Sequence, residues 1–443
     1  MTQQRILIAG GGMVGMSLAL LLDQHLPDDV AITVVEGMAL RPDTAAPIYH
    51  PSFDARSTAL SYSTAHLYRR LGVWDDLTSG LGAIRKIHVS RRGGFGSSVL
   101  TAKEQEWDAL GWVVENPCLG QCLLKAVADR PRIELRCPAR VSAAEPEGSG
   151  MRVTIDGHAG FGASEGSAEE SAQASRAQSG GDSKGQSKEH SSEESVDLLV
   201  IADGAKSVLR EQLGFLTRRK AYGQSAIVAN LSFSKDHEGC AFERFTQSGP
   251  LALLPLPGTN QDPYRMALVW SLPPDDAERL VSADEEDFSR ELVDAFGYRL
   301  GRPKQVGVRQ AYPLALTEAV EQIRRGCAVL GNAAHSLHPV AGQGYNLALR
   351  DASSLAIHLA DACENGEALG DPVVLRRYQE ESSLDQSQTI AASDGLPKLF
   401  MLTDPVVALG RDLALAGMDF FPALRRQFVR EAAGMAALES TGA

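Results

Sequence analysis

Three short runs in this 443-residue chain carry residue types suited to holding an anionic ligand. The first is Gly10-x-Gly12-x-x-Gly15, followed by Ala19. Glycines at this spacing permit a tight turn, close backbone approach to a pyrophosphate, and close packing of a helix on a strand. Glu36 follows 21 residues beyond Gly15. A carboxylate there accepts both hydroxyls of an adenosine ribose and disfavours a 2′-phosphate. The implied ligand is therefore FAD or NAD. The second run is Asp203-Gly204-x-x-Ser207-x-x-Arg210, in which an aspartate at a strand end is placed to hydrogen-bond a ribitol or a phosphate-bearing cofactor. Asp-Gly is also a common turn, so this run says little by itself. The third is "GNAAHSLHPVAGQGYNLALRD", residues 331–351, a donor-rich glycine loop that feeds a helix. A helix N-terminus approached in this way suits an anionic centre, such as the N1–C2=O edge of a reduced flavin.

The flanking residues show which elements position these runs. "RILIAG" (5–10) reads as a buried parallel strand, "MVGMSLALLLDQH" (13–25) as a helix and "AITVVEG" (31–37) as a second strand. "VDLLVIADG" (196–204) and "CAVLGNAAH" (327–335) end in turns after strand-like runs, and "LALRDASSLAIHLADACENG" (347–366) is an amphipathic helix. The first domain is thus discontinuous in sequence. "AIVANLSF", "LALLPLP" and "YRMALVWSL" predict a β-rich second domain. Residues 157–195 are rich in Ser, Gly, Glu and Gln and nearly free of large hydrophobes. They read as a disordered insertion in a hairpin that begins with "MRVTI".

Composition bounds the function. Apolar residues make up 44% and charged residues 22%, as in ordinary globular proteins. A net charge of −13 argues against a general nucleic-acid binder. The six cysteines are scattered without a C-x-x-C pair, so neither a disulfide framework nor a metal site is expected. No apolar run reaches the length of a spanning helix. A soluble cytoplasmic protein is expected, peripheral at most to the inner membrane.

Taken together, the three runs resemble the group A flavoprotein aromatic hydroxylases, the family of p-hydroxybenzoate hydroxylase. "HPVAGQGYNLALRD" is similar to the signature of the ubiquinone-biosynthesis hydroxylases within it. "FDARSTALS", "VVENPCLGQCLL", "AFERFTQSGPLALLPL", "FGYRLG" and "AYPLAL" resemble the branch acting on 2-octaprenyl-6-methoxyphenol. The resemblance implies an α/β fold: a Rossmann-like FAD-binding domain, a β-sheet substrate domain and C-terminal helices. The FAD domain would comprise 1–84, 107–214 and 307–380, the substrate domain 85–106 and 215–306, and the helical region 381–443. Two positions depart from the pattern. Asn332 stands where aspartate is usual, and Ala348 where glycine is usual.

By resemblance, Gly10, Gly12 and Gly15 hold the FAD pyrophosphate and Glu36 the adenosine ribose. Arg56 and Gln121 contact the cofactor, and Asp203 and Asn332 bind its ribityl–phosphate region. Gly342, Gln343, Gly344, Tyr345 and Asn346 cradle the isoalloxazine through backbone N–H groups, and Pro339 and Tyr345 lie near its reactive face. The implied reaction uses NAD(P)H and O₂, passes through a C4a-hydroperoxyflavin, and hydroxylates a polyprenyl phenol. Other ubiquinone-biosynthesis enzymes are implied as partners. No catalytic base is evident. His335 and His338 read as structural histidines, as do Tyr222 and Tyr312 as structural tyrosines, and Arg244 as lining the second domain's sheet or as a surface or salt-bridge residue. The C-terminal stretch with Arg425, Arg426 and Arg430 suggests membrane or partner contact on one face and packing on another. Alternative readings are a hydroxylase of another ring position or of a soluble phenol, and a non-catalytic scaffold.

Overall fold

Apolar residues along Arg5–Ala9 alternate between two cores. Ile6 and Ile8 belong to one buried cluster, Leu7 and Ala9 to another. That period of two requires a sheet covered on both faces. The computed structural model describes residues 3–40, 56–94, 97–157, 190–339, 342–401 and 422–435. Arg5–Ala9 lies inside a six-stranded sheet. Its order is Ile323–Arg324, Cys327–Val329, Leu198–Ile201, Arg5–Ala9, Ala31–Val35, Ile133–Arg136. All pairings are parallel except that of Ile323–Arg324 with its neighbour. Helices Met13–His25, Asn116–Ala128 and Gln343–Glu364 fill one face with Leu18, Leu22, Leu123, Leu355 and Leu359. The other face is covered by a three-stranded antiparallel sheet through Val141, Val153 and Ile155.

That covering sheet narrows the expected insertion. Residues 190–195, read as unstructured with the rest of 157–195, lie with Val196 in the strand His190–Val196. It pairs in unbroken register with Gly150–Gly157, from Met151↔Val196 to Gly157↔His190. Only Val196 of its seven residues is a strong β-former, so the register comes from the partner strand rather than from propensity. Residues 158–189 lie outside the described residues.

A nine-stranded sheet forms the second layer system. Its longest strand, Thr217–Phe233, pairs with Gln310–Ala319, Arg265–Leu272 and Pro303–Val306. Lys86–Arg91 and Ser97–Thr101 join its far edge through Cys240–Phe245, so residues 85–106 contribute strands to this sheet. Helices Pro274–Ser282 and Glu285–Phe296 pack on one face against Phe233, Leu253, Leu268 and Trp270. The second helix starts where the Asp284 carboxylate accepts the Asp287 N–H at 2.8 Å and ends at Gly297. Arg244 closes its C-terminus, donating from Nε to the Ala295 carbonyl at 3.2 Å.

A small sheet of Ser57–Ser61, Gly111–Glu115 and Leu81–Ile84 stands between these systems. Helix Pro422–Ala432 docks there through Val429, which shares a core with Ile84, Leu100 and Val113. Arg425 pairs with Glu104 at 2.9 Å and is largely buried, whereas Arg426 and Arg430 are exposed. The basic face expected at this end is thus split: Arg425 packs, and the other two face solvent.

One prediction follows from the hairpin. Gly157 and His190 are directly opposed, so a two-residue Asn-Gly turn closes the gap between them. Replacing 158–189 by that turn should move Tm by no more than about 2 °C in a thermal melt and leave FAD uptake unchanged.

Candidate FAD site and active centre

The carboxyl ends of the parallel strands bring the predicted loops to one crevice. Gly10 has φ +114, and a Cβ there would stand 2.5 Å from the Ala202 carbonyl oxygen. Any side chain would push this loop off the neighbouring strand end. A Cβ at Gly15 would lie 1.9 Å from the Gly10 carbonyl oxygen, so helix Met13–His25 rests directly on the turn. Gly12 caps that helix without a side-chain hydrogen bond, and nothing lies within 4 Å of where its Cβ would be. The first-turn N–H groups have no intrahelical acceptor and face this open strip. A pyrophosphate fits it. Glu36 lies beside the loop. Its Oε2 accepts the Gly11 N–H and its Oε1 the Met38 N–H, both at 2.8 Å. These bonds fix the carboxylate, and each oxygen keeps a lone pair for a ribose hydroxyl.

Asp203 is adjacent: its Cα lies 2.8 Å from the position of a Gly10 Cβ. Desolvation raises its carboxyl above the usual range, against the opposing pull of the Ser207 hydroxyl, its own backbone, Arg210 and Arg140. Ser207 caps the short helix Val208–Gln212, accepting the Arg210 N–H at 3.0 Å. The Arg210 side chain is buried and donates from Nη1 to the Ala333 carbonyl at 2.8 Å. It therefore ties the second sequence run to the third. The sequence placed Arg210 in its motif but gave it no role. The signal was an arginine carried on a helix too short to bury it unaided. Asn332 is exposed in the turn Gly331–Ala333, where a Cβ on Gly331 would stand 3.2 Å from Val14. Gly10, Gly12, Asp203 and Asn332 therefore border the same crevice.

At the other end, Gly342 takes φ +61 as N-cap of helix Gln343–Glu364, with its missing Cβ 2.8 Å from that of Ala59. Gly344 and Tyr345 lie in the first turn, where N–H groups lack intrahelical acceptors. Asn346 has another task. Its Oδ1 accepts the Ser61 N–H and the Thr64 hydroxyl, both at 2.8 Å, and its Nδ2 donates to the Ala59 and Gly342 carbonyls, both at 2.9 Å. The buried amide is fully engaged inside the protein and fastens the loop to strand Ser57–Ser61. The Tyr345 hydroxyl is turned inward too. It bonds Tyr68, whose hydroxyl bonds Ser17 at 3.0 Å, and Ser17 donates to the Met13 carbonyl at 2.7 Å. This chain links the two glycine loops, and burial pushes the Tyr345 hydroxyl up to about 12. Pro339 accepts the Gly342 N–H at 3.3 Å; residues 340–341 lie outside the described residues.

Arg56 is exposed, with its guanidinium 5.6 Å from the centre of the Tyr312 ring. Its carbonyl accepts the N–H of Asn116, which opens the helix bearing the exposed Gln121. His335 is buried with Nε2 3.2 Å from Asp351 Oδ2, and Gln386 donates to the other Asp351 oxygen at 3.0 Å. His338 is buried edge-on to Tyr222, ring centres 5.1 Å apart. Burial lowers the His338 pKa to about 4, so the ring is neutral at pH 7. Burial, aided by Asp394, raises that of Tyr222 and keeps its hydroxyl protonated.

Comparison with known proteins decides the assignment. The model of the FAD binding domain family matches residues 3–393. The chain belongs to this family of FAD-dependent aromatic monooxygenases. It is 32% identical over 430 residues to a protein named ubiquinone hydroxylase UbiL of Rhodospirillum rubrum, covering 97% of this chain and 89% of the relative. It is 30% identical to the 3-demethoxyubiquinol 3-hydroxylase of Escherichia coli, covering 98% of this chain and all of that one. To the human mitochondrial ubiquinone biosynthesis monooxygenase COQ6 it is 28% identical, over 96% and 91%. Among solved structures, p-nitrophenol 4-monooxygenase from Pseudomonas putida superposes with a TM-score of 0.71 at 16% identity, over 97% and 98% of the two chains. That likeness shows the shared fold, while the family model indicates FAD as the cofactor, with NAD(P)H as the usual co-substrate of such monooxygenases.

Two outcomes check the site. Asn346→Ala removes four buried hydrogen bonds, so it should cost about 3 kcal/mol in chemical unfolding and weaken FAD retention at least tenfold. His338 sets an acid limit. Its folded pKa lies below the unfolded value, so stability is full above pH 6.5 and falls as pH drops toward about 4. The loss is about 3 kcal/mol, and His338→Gln should flatten that slope in melts recorded from pH 7 to 4.

Proposed function

We propose that this protein hydroxylates the ring of a polyprenyl-methoxyphenol in ubiquinone biosynthesis. The observation that carries this reading is the grouping of the N-terminal glycine loop with Asp203 and the turn bearing Asn332, tied through Ser17, Tyr68 and Tyr345 to the first turn of helix Gln343–Glu364, in a chain of this family. The names of the relatives in three organisms support the pathway. The segments resembling the 2-octaprenyl-6-methoxyphenol branch support that substrate over another ring position.

When bound, FAD supplies electron uptake from NAD(P)H and activation of O₂. Gly10, Gly12, Gly15 and Glu36 would hold its adenosine–pyrophosphate half, with Asp203 and Asn332 along the ribityl chain. The first turn of helix Gln343–Glu364 would present N–H groups to the ring system. Arg56 and Gln121 would flank it from the small sheet and the helix beside it. Asn332 keeps a hydrogen-bonding amide where a carboxylate is usual and removes one negative charge from the phosphate region. The substrate ring would lie between Pro339 and the sheet face bearing Tyr222 and Tyr312. The neutral His338 and the protonated Tyr222 offer polar contacts there without introducing a charge. A dry setting of this kind protects reactive oxygen species from water.

No helix among the described residues is long and apolar enough to cross a membrane. The apolar tail of the substrate would then be met at the bilayer surface, with exposed Arg426 and Arg430 as contacts for its headgroups or for partner enzymes. The test is mass spectrometry of quinone intermediates in a deletion strain. Accumulation of a prenyl-methoxyphenol, reversed by the native gene, is the expected outcome. An unchanged quinone profile, or hydroxylation confined to soluble phenols, overturns the reading. A purified protein that takes up no FAD favours a scaffold role.

A further inference from the structure

The small sheet beside Arg56 meets the nine-stranded sheet at a buried ion pair. Glu115 is 2% exposed and Arg265 is fully buried. Arg265 donates from Nη2 to Glu115 Oε1 at 3.0 Å, and Asn230 donates from Nδ2 to the same oxygen at 2.9 Å. Arg265 also reaches the Pro257 carbonyl from Nη1 at 3.2 Å. Backbones touch close by: a Cβ on Gly82 would stand 2.2 Å from the Pro255 carbonyl oxygen. Ile84, Val113, Leu256 and Ala267 pack in the same cluster.

Stability alone does not account for this pair. Taking two charges out of water offsets most of their attraction, and apolar residues of equal volume often hold such a contact as well or better. What the guanidinium and the amide add is direction, since hydrogen bonds fix angles that apolar contacts leave free. The direction matters here because of what is adjacent. Glu115 is paired in register with Ser57, next to Arg56. Asn230 lies on the strand that carries Tyr222, and Tyr312, beneath the Arg56 guanidinium, is paired in register with Ala226 of that strand.

We infer that Glu115, Arg265 and Asn230 form a latch that sets the angle of the nine-stranded sheet over the cofactor crevice. They are positioning residues. The consequence for hydroxylation rests on the proposed function; the latch itself does not.

The experiment is the double variant Glu115→Leu/Arg265→Met, with Asn230→Ala as the milder companion. FAD uptake of the double variant should stay close to native, and its Tm should fall by no more than a few degrees: an apolar pair replaces the ions, while the buried Asn230 amide loses its Glu115 acceptor. Amide hydrogen exchange in the segments 111–115 and 226–232 should quicken at least about tenfold, as local opening becomes easier without global unfolding. The share of NAD(P)H oxidation that ends as hydrogen peroxide should rise several-fold. Asn230→Ala should show the same two changes to a smaller degree, and decides the matter if the double variant does not fold. Native exchange rates in the variants that fold would falsify the latch. Faster exchange with native coupling overturns its link to turnover. Native protein that hydroxylates nothing defeats the proposed function, while the exchange measurement still judges the latch.

Discussion

The amide of Asn346 has two donors and two acceptor sites, and all four are engaged by Ala59, Ser61, Thr64 and Gly342. FAD is an extended ligand, and in the proposed site its two halves meet loops that lie more than 300 residues apart in the chain. A loop held only by apolar packing could slide by a fraction of an ångström. An amide with four directed bonds cannot shift without leaving one of them unmade in a buried place, which is costly. The Tyr345–Tyr68–Ser17 hydroxyl chain adds a second tie, from the same first turn to the helix that follows the N-terminal glycines. The spacing of the two loops is thus set by polar contacts in an apolar surround.

Some of this was legible in the sequence and some was not. The parallel strands were visible because burial on both faces forces continuous apolar runs. The glycine loops were visible because close backbone approach excludes every other residue, as at Gly10 and Gly15. The task of the Asn346 side chain was not legible: the motif suggested a backbone cradle and said nothing of an amide that fastens a strand near residue 60. Such long-range partners have no local pattern. The same holds for Arg210, whose acceptor lies more than a hundred residues away. The insertion was overextended because Ser- and Glu-rich residues 190–195 look unstructured alone and become a strand only beside Gly150–Gly157.

Charge is handled locally throughout an acidic chain. Arg265 beside Glu115 is buried as a compensated pair. His338 and Tyr222 are instead kept uncharged by burial. These two side chains bring polarity without charge to ground that Asp394, Lys398 and Arg56 border with charges.

The strand order has a consequence for how the protein is made. The central sheet needs Cys327–Val329 beside Leu198–Ile201, and the flavin loop needs Asn346 beside Ser61. A nascent chain on the ribosome holds the N-terminal βα unit early, with strand edges unpaired, and cannot complete the crevice until some 340 residues have emerged. Pairings of such long sequence separation are slow to form. Until then the waiting edges are exposed to wrong partners. Cofactor capture at the proposed site is thus a late event in synthesis.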